Sequence, residues 1–107
     1  MKVFIGKGKI FGKGVFADKN FKKGEVVIKY SLKLLTEEAF KNLPASEKPF
    51  THTHWGAPYL YSIPERYVNH SFNPNTRADH KNKRDVAIRD IKKGEAITTD
   101  ARMDDVV

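Results

Sequence analysis

Apolar residues alternate with lysines and glycines through the first part of the chain. Val3 and Ile5 are followed by Ile10 and then by Val15 and Phe16. A period of two marks strands with one face turned toward a core, and the glycines between them supply tight turns. The opening therefore reads as short strands joined by glycine turns. Glu25 to Leu35, EVVIKYSLKLL, is β-branched and apolar and reads as one strand or a pair. Asp85 to Arg89 alternates as a strand does, and Ala96 to Thr99 reads as another. The spacing predicts a helix over Thr36 to Leu43. Thr36 can cap it, Glu37 and Glu38 suit its positive end, and Pro44 stops it. The stretch from Pro49 to Pro64 holds three prolines among many aromatics. It predicts irregular structure with one strand around Tyr59 to Ser62.

One segment has an echo. NFKKGEVVI at Asn20–Ile28 returns as DIKKGEAI at Asp90–Ile97, each with an apolar residue before Lys-Lys-Gly-Glu and a strand after it. The flanking segments do not match, so the echo is read as two similar turns in one β fold and not as a tandem repeat.

Length and composition narrow the class. A chain of 107 residues is the size of one domain with a modest core. One domain is expected over 1–107, with 34–67 as a short variable insert and 102–107 as a tail. MKVFIGKGKI has no uninterrupted apolar run, so no signal peptide is expected. No window approaches the roughly 20 apolar residues of a membrane helix, so no membrane partner is expected. Cysteine is absent, which excludes disulfides and thiolate zinc sites. The cytoplasm is the expected location, with a nucleus or a host cell left open. The formal net charge of +7 attracts anionic partners, although most of the lysines read as a solvated surface.

Motifs of common chemistries fail on spacing. Gly6 to Gly14 is glycine-rich, but Gly12-Lys13 is followed by Gly14 and not by the Ser or Thr that a phosphate loop needs for magnesium. Gly12 to Ala17 fits G-x-G-x-x-A, yet the residues after it are turn-like and do not open a helix. His52 and His54 share a face if their segment is a strand. A metal site would need a third ligand such as His70 or His80, and nothing in the spacing supplies one, so no metal is expected.

The most informative stretch is Arg66 to Asn75, RYVNHSFNPN. Alone it reads as an Asx-type turn around Pro74. With GKGVFA before it and DIKKGEAITTDA after it, it resembles the ordered signature of the SET domain family. That family carries a G-x-G-V-F-A loop, an R-F-x-N-H-S-x-x-P-N stretch and a closing G-E-x-x-T-x-D-Y stretch. The resemblance runs from about Gly12 to Ala101. It implies a mostly β, β-clip-like fold of several small sheets, with a C-terminal pseudo-knot and one short helix. It also implies methyl transfer from S-adenosylmethionine to a lysine nitrogen of a substrate protein.

Site residues follow from the same resemblance. Lys13 and Gly14 would give backbone contacts to the donor, and Asn69 and His70 would hold it. Ser71 would support that turn. Gly12, Arg66, Tyr67, Asn75, Gly94, Glu95 and Asp100 belong to the structural motif. Tyr59 and Tyr61, with Phe50 and Trp55, are candidates to line the lysine channel. The chain departs from the family at one place: Asp100 is followed by Ala101 where a catalytic tyrosine is expected. The tail ARMDDVV brings no aromatic to complete the channel. Impaired turnover is therefore expected. The alternatives are a non-catalytic module that binds the donor or a peptide on the same fold, and a basic nucleic-acid binder. The substrate is expected to be a basic or nucleic-acid-associated protein, and a homodimer could complete the channel.

Overall fold

A computed structural model describes residues 2–100; Ala101 and the 102–107 tail lie outside the described residues. The glycine-rich opening forms a hairpin of β1 (Val3–Ile10) and β2 (Lys13–Ala17), with Val3 opposite Ala17 and Ile5 opposite Val15. The register slips between Lys7 and Ile10. Gly8 is required there, because a Cβ on it would lie 2.4 Å from the Lys13 carbonyl oxygen. Gly12 closes the turn at φ +78, in the left-handed region that glycine enters without strain. Val3, Val15 and Ala17 turn into the core, whereas Ile5 is exposed.

The apolar run after Glu25 divides into β3 (Val26–Lys29) and β4 (Lys33–Leu34). Thr36 caps helix α1 (Glu37–Lys41) by accepting from the Ala39 amide at 3.0 Å. The Pro49–Pro64 stretch holds more order than the sequence predicts. It contains the antiparallel hairpin of β5 (Thr51–His54) and β6 (Ala57–Leu60), to which β4 adds on the far side of β6. Pro58 stands inside β6, and its carbonyl still accepts from Leu35 at 3.0 Å. The missing N–H is thus tolerated, and proline was a misleading stop signal here.

Beyond this hairpin come β7 (Asn69–His70), β8 (Thr76–Asp79), β9 (Arg84–Ala87) and β10 (Thr98–Thr99). Strands β3, β9 and β8 form one antiparallel sheet in that order. β10 runs parallel to β7, Thr98 beside Asn69 and Thr99 beside His70. The segment leading into β10 is held on its other side by β2: Ala17 N–H donates to Glu95 O at 2.9 Å and Ile97 N–H to Val15 O at 2.8 Å. The C-terminal segment is thus enclosed between the first hairpin and the Asn-His-Ser segment, which is the pseudo-knot of the expected mostly β fold. Phe21, Ile91, Ile97, Val15 and Ala17 form the centre of the core, each at most 1% exposed.

Candidate functional site

Asn69 is placed by the short parallel pairing with β10, and its amide is used as a clamp. Oδ1 accepts from Lys9 N–H at 2.8 Å, while Nδ2 donates to Lys13 O at 3.1 Å and to Tyr67 O at 2.9 Å. The side chain therefore fastens the first hairpin to the segment before β7. The Lys13 carbonyl is taken by this clamp, and Lys13 Nζ lies 5.1 Å from the centre of the Tyr67 ring. Gly14 packs against the clamp too, since a Cβ on it would lie 3.3 Å from Asn69 Nδ2. His70 lies beside Phe72 edge-on, with ring centroids at 4.5 Å, and its Nδ1 is 3.8 Å from Asp100 Oδ1.

A cavity of about 430 Å³ opens beside this strand pair. Asn69, His70 and Thr99 form one part of its wall, and Lys9, Ile10 and Phe11 from the first hairpin form another. Tyr30, Phe50, His52 and Tyr61 supply aromatic surface, and Glu65 and Asp85 supply carboxylates. Tyr30 and Tyr61 stack with centroids 5.8 Å apart. The Tyr30 hydroxyl donates to Asp85 Oδ1, and the Tyr61 hydroxyl is 2.7 Å from His54 Nε2. Arg66 locks the region: its Nε donates to Tyr61 O at 2.9 Å, its Nη1 donates to Glu47 Oε2 at 2.7 Å, and its guanidinium lies over Phe50. Phe50 in turn meets Tyr67 edge-on at 5.6 Å.

The structure brings together Asn69, His70, Tyr61, Phe50 and Arg66 around one space. Tyr59, Trp55, Gly12, Lys13 and Gly14 are not in its wall; Tyr59 and Trp55 pack on each other edge-on at 5.5 Å. The hairpin reaches the cavity through Lys9, Ile10 and Phe11 instead. Tyr30, Glu65 and Asp85 were not singled out in the sequence. Tyr30 and Asp85 meet only because β3 pairs with β9, Ile28 opposite Asp85, and no local motif signals that pairing. Ser71, Asn75, Gly94 and Glu95 are structural in their contacts. Ser71 N–H donates to Thr99 O at 2.9 Å, Gly94 N–H donates to Ala17 O at 2.7 Å, and Asn75 Nδ2 donates to Glu95 Oε2 at 3.1 Å. Among the described residues no group of three His, Asp or Glu is arranged to hold a metal ion, although the His54 and His80 rings touch at 4.4 Å.

A fold of small sheets with a terminal segment enclosed beside an Asn-His-Ser strand is the architecture that the family resemblance implies. The family model described as the SET domain matches residues 12–100, and the chain belongs to that family. A Plasmodium falciparum protein assigned as a histone methyltransferase superposes with a TM-score of 0.70 at 21% identity, covering 92% of this chain and 91% of that one. A humanized mutant of the Chaetomium thermophilum Polycomb Repressive Complex 2 bound to an inhibitor superposes with a TM-score of 0.73 at 23% identity over 98% of this chain. The apo form of that fungal complex in an autoinhibited state gives a TM-score of 0.73 at 22% identity over 95%. This chain spans only 15% of the length of the matched Polycomb chains. No curated protein matches it by sequence.

Proposed function

We propose that this chain is a SET-type domain that binds S-adenosylmethionine and accepts a lysine side chain of a substrate protein in the cavity beside β7 and β10. The observation that carries the reading is the mixed wall of that cavity. One side has the backbone and polar groups of Asn69 and His70 with the apolar edge of Ile10 and Phe11, and the other has stacked tyrosines. Its volume of about 430 Å³ falls within the range of small-molecule sites. The wall suits an amphiphilic nucleoside with a charged tail, so the residues present fit the donor.

When bound, the donor would supply a methyl group activated on a sulfonium, its carbon open to in-line attack by a neutral amine nitrogen with the thioether as leaving group. The demand on the protein is positioning. The clamp of Asn69 on Lys9 and Lys13 holds the hairpin edge against the His70 strand. Tyr30, Tyr61 and Phe50 give the acceptor side an aromatic wall. Turnover is weakened at one place in this reading, because Ala101 stands where the family resemblance implies a tyrosine beside the reacting atoms. A preorganised group of that kind contributes about 100- to 1000-fold in rate. The same residue favours a second reading, a module that binds donor and lysine without transferring methyl.

Calorimetric titration of S-adenosylmethionine into the chain tests the first reading, with methyl transfer to lysine-rich basic proteins assayed in parallel. Saturable binding is expected, lost in Asn69→Ala, with the melting temperature of the variant measured alongside. Ala101→Tyr should raise transfer about 100-fold or more. Absence of binding by the parent would overturn the donor assignment. Binding without any gain in Ala101→Tyr would favour the non-catalytic module. The substrate's basic or nucleic-acid-associated character and a homodimeric state belong to this proposal as well, as does a cytoplasmic location.

A further inference from the structure

None of the residues of the two Lys-Lys-Gly-Glu turns lines the cavity. Phe21 and Ile91, just before the turns, form an antiparallel bridge with both side chains buried in the core. Neighbours along a strand point to opposite faces, so Lys22 and Lys92 leave together on the solvent side of this bridge. Both are exposed, as are Lys23 and Lys93 beside them. In this register Lys22 is diagonal to Lys92, which sets the two about 7–8 Å apart. Lys23 N–H donates to Asp90 and Lys93 N–H to Asn20, so the two lysine pairs are related by a local two-fold axis. The acids of the turns are engaged elsewhere. Glu25 accepts from Lys22 N–H and pairs with Lys19, while Glu95 accepts from Lys92 N–H and lies 3.9 Å from Arg89. None of the four lysine ammonium groups has an ion-pair partner among the described residues. Like charges gathered on one face repel and destabilise the fold that carries them, and an anionic partner relieves that repulsion.

We infer that these paired lysines are a docking face for duplex DNA, with one turn set against each strand. The strands of a duplex run antiparallel and are related by two-fold axes, which a two-fold pair of cationic turns can match. Each strand carries a phosphate for about every 3.4 Å of helix axis, so both lysines of a turn meet charge wherever they land. The minor groove between the two rows is about 6 Å wide, and lysines that diverge from a span of about 7–8 Å reach both of its rims. An acidic protein surface offers neither the even spacing nor the symmetry. Lysine is a point charge on a flexible stem, and its phosphate contacts carry no sequence information, so the face holds DNA without reading it. The inference stands apart from the donor reading, because it uses no residue of the cavity wall.

The test is fluorescence anisotropy of a labelled, mixed-sequence DNA duplex of about 16 base pairs, titrated with the whole chain from about 50 to 200 mM salt. Saturable binding that weakens with salt is expected. Lys22→Ala/Lys92→Ala removes one contact to each strand. It should lower the slope of log affinity against log salt by about 1.8, at about 0.9 for each phosphate. Lys33→Ala/Lys48→Ala removes the same charge from exposed lysines outside the turns and should leave the slope within about 0.5 of the parent's. Equal losses in the two variants would reveal a general charge effect and overturn the inference. Absence of binding by the parent at about 50 mM salt would overturn it too. A single strand of the same sequence should bind at least about tenfold more weakly, and equal affinity would sink the two-strand assignment. Poly-L-glutamate decides the class of partner. If it binds as tightly as the duplex and loses that binding through Lys22 and Lys92, the face belongs to an acidic protein and the proposal fails. Failure of the chain to bind S-adenosylmethionine would leave the DNA result standing, so the two readings fail separately.

Discussion

The two Lys-Lys-Gly-Glu turns share one backbone and differ in what their glutamates do. Phe21 and Ile91, the apolar residues before the turns, form an antiparallel bridge. Phe21 N–H donates to Ile91 O at 2.8 Å and Ile91 N–H to Phe21 O at 2.9 Å. Around this bridge each turn repeats the other. Lys23 N–H donates to Asp90 Oδ1 at 2.9 Å, and Lys93 N–H donates to Asn20 Oδ1 at 2.8 Å. Gly24 and Gly94 both sit at φ +90. The symmetry extends to the first contacts of the glutamates: Glu25 Oε1 accepts from Lys22 N–H and Glu95 Oε1 from Lys92 N–H, and on the surface Glu25 pairs with Lys19 at 2.5 Å and Glu95 with Arg89 at 3.9 Å. It ends where Glu95 Oε2 also accepts from the buried amide of Asn75. The same local sequence thus sets the turn and its surface ion pair, while its surroundings decide whether the turn's acid also serves the pseudo-knot beside the cavity.

The largest expected effect falls on what the turns share. Phe21 and Ile91 are each 1% exposed at the middle of the core. Phe21→Ala should cost about 3–5 kcal/mol and Ile91→Ala about 2–5 kcal/mol, read as a drop in the urea midpoint. Effects of similar size would confirm that the turns form one unit about the bridge. A loss below about 1 kcal/mol at either position would show that the two are not equivalent.

The pseudo-knot should separate them. Asn75 is 1% exposed, donates to Glu95 Oε2 and to Ala96 O at 2.7 Å, and accepts from Thr98 N–H at 2.9 Å. Asn75→Ala leaves those part-buried groups without their partner and should cost about 3 kcal/mol. Asn20→Ala removes one exposed hydrogen bond from the opposite side of the bridge and should cost about 1 kcal/mol or less. Equal costs would mean that the terminal segment is not held by the amide. Because Thr98 and Thr99 pair with Asn69 and His70, Asn75→Ala should also weaken binding of S-adenosylmethionine if the proposed donor site is correct.

How much of this was legible in advance follows from where each signal resides. Local signals were readable: alternation in the first hairpin, the Thr36 cap, the stop near Pro44, and the ordered motifs that gave the family. The echo was readable as a pair of turns, but not as partners, since the Phe21–Ile91 bridge joins residues far apart in the chain. The hairpin of β5 and β6 was hidden by prolines, although Pro58 only withdraws one donor. At the cavity, Asn69 and His70 were legible by motif, and Tyr61 and Phe50 only as members of a pool of aromatic candidates whose other members, Tyr59 and Trp55, lie outside the wall. Glu65, Tyr30 and Asp85 were not, because their meeting depends on cross-strand pairing and on backbone amides of Ser31 and Ser62. Ala101, at the position where the resemblance implies a tyrosine, lies outside the described residues.

The smallest expected effect sharpens the comparison at the glutamates themselves. The Lys19 ammonium, followed by the Lys22 amide, holds the Glu25 carboxyl below its ordinary value of 4.5. A carboxyl depressed in the folded state binds its proton less readily there than in the unfolded chain. Its contribution to stability is therefore present above the unfolded value and is lost as the pH falls through the folded one. Glu25→Gln should lower stability slightly at neutral pH, leave it unchanged at the acid end, and so flatten part of the acid limb of the stability–pH curve below about pH 4.5. The Asp79 carboxyl is also held low, by the Asn82 side chain and then by Arg84, so a residual slope should remain until Asp79→Asn is added. Both groups face solvent, so the difference should shrink as salt is raised to about 1 M. Urea midpoints measured from neutral pH down through the acid range decide the matter. An acid limb identical in Glu25→Gln and the parent would mean that the Lys19 pair is broken in solution, and the two turns would then differ only through Asn75.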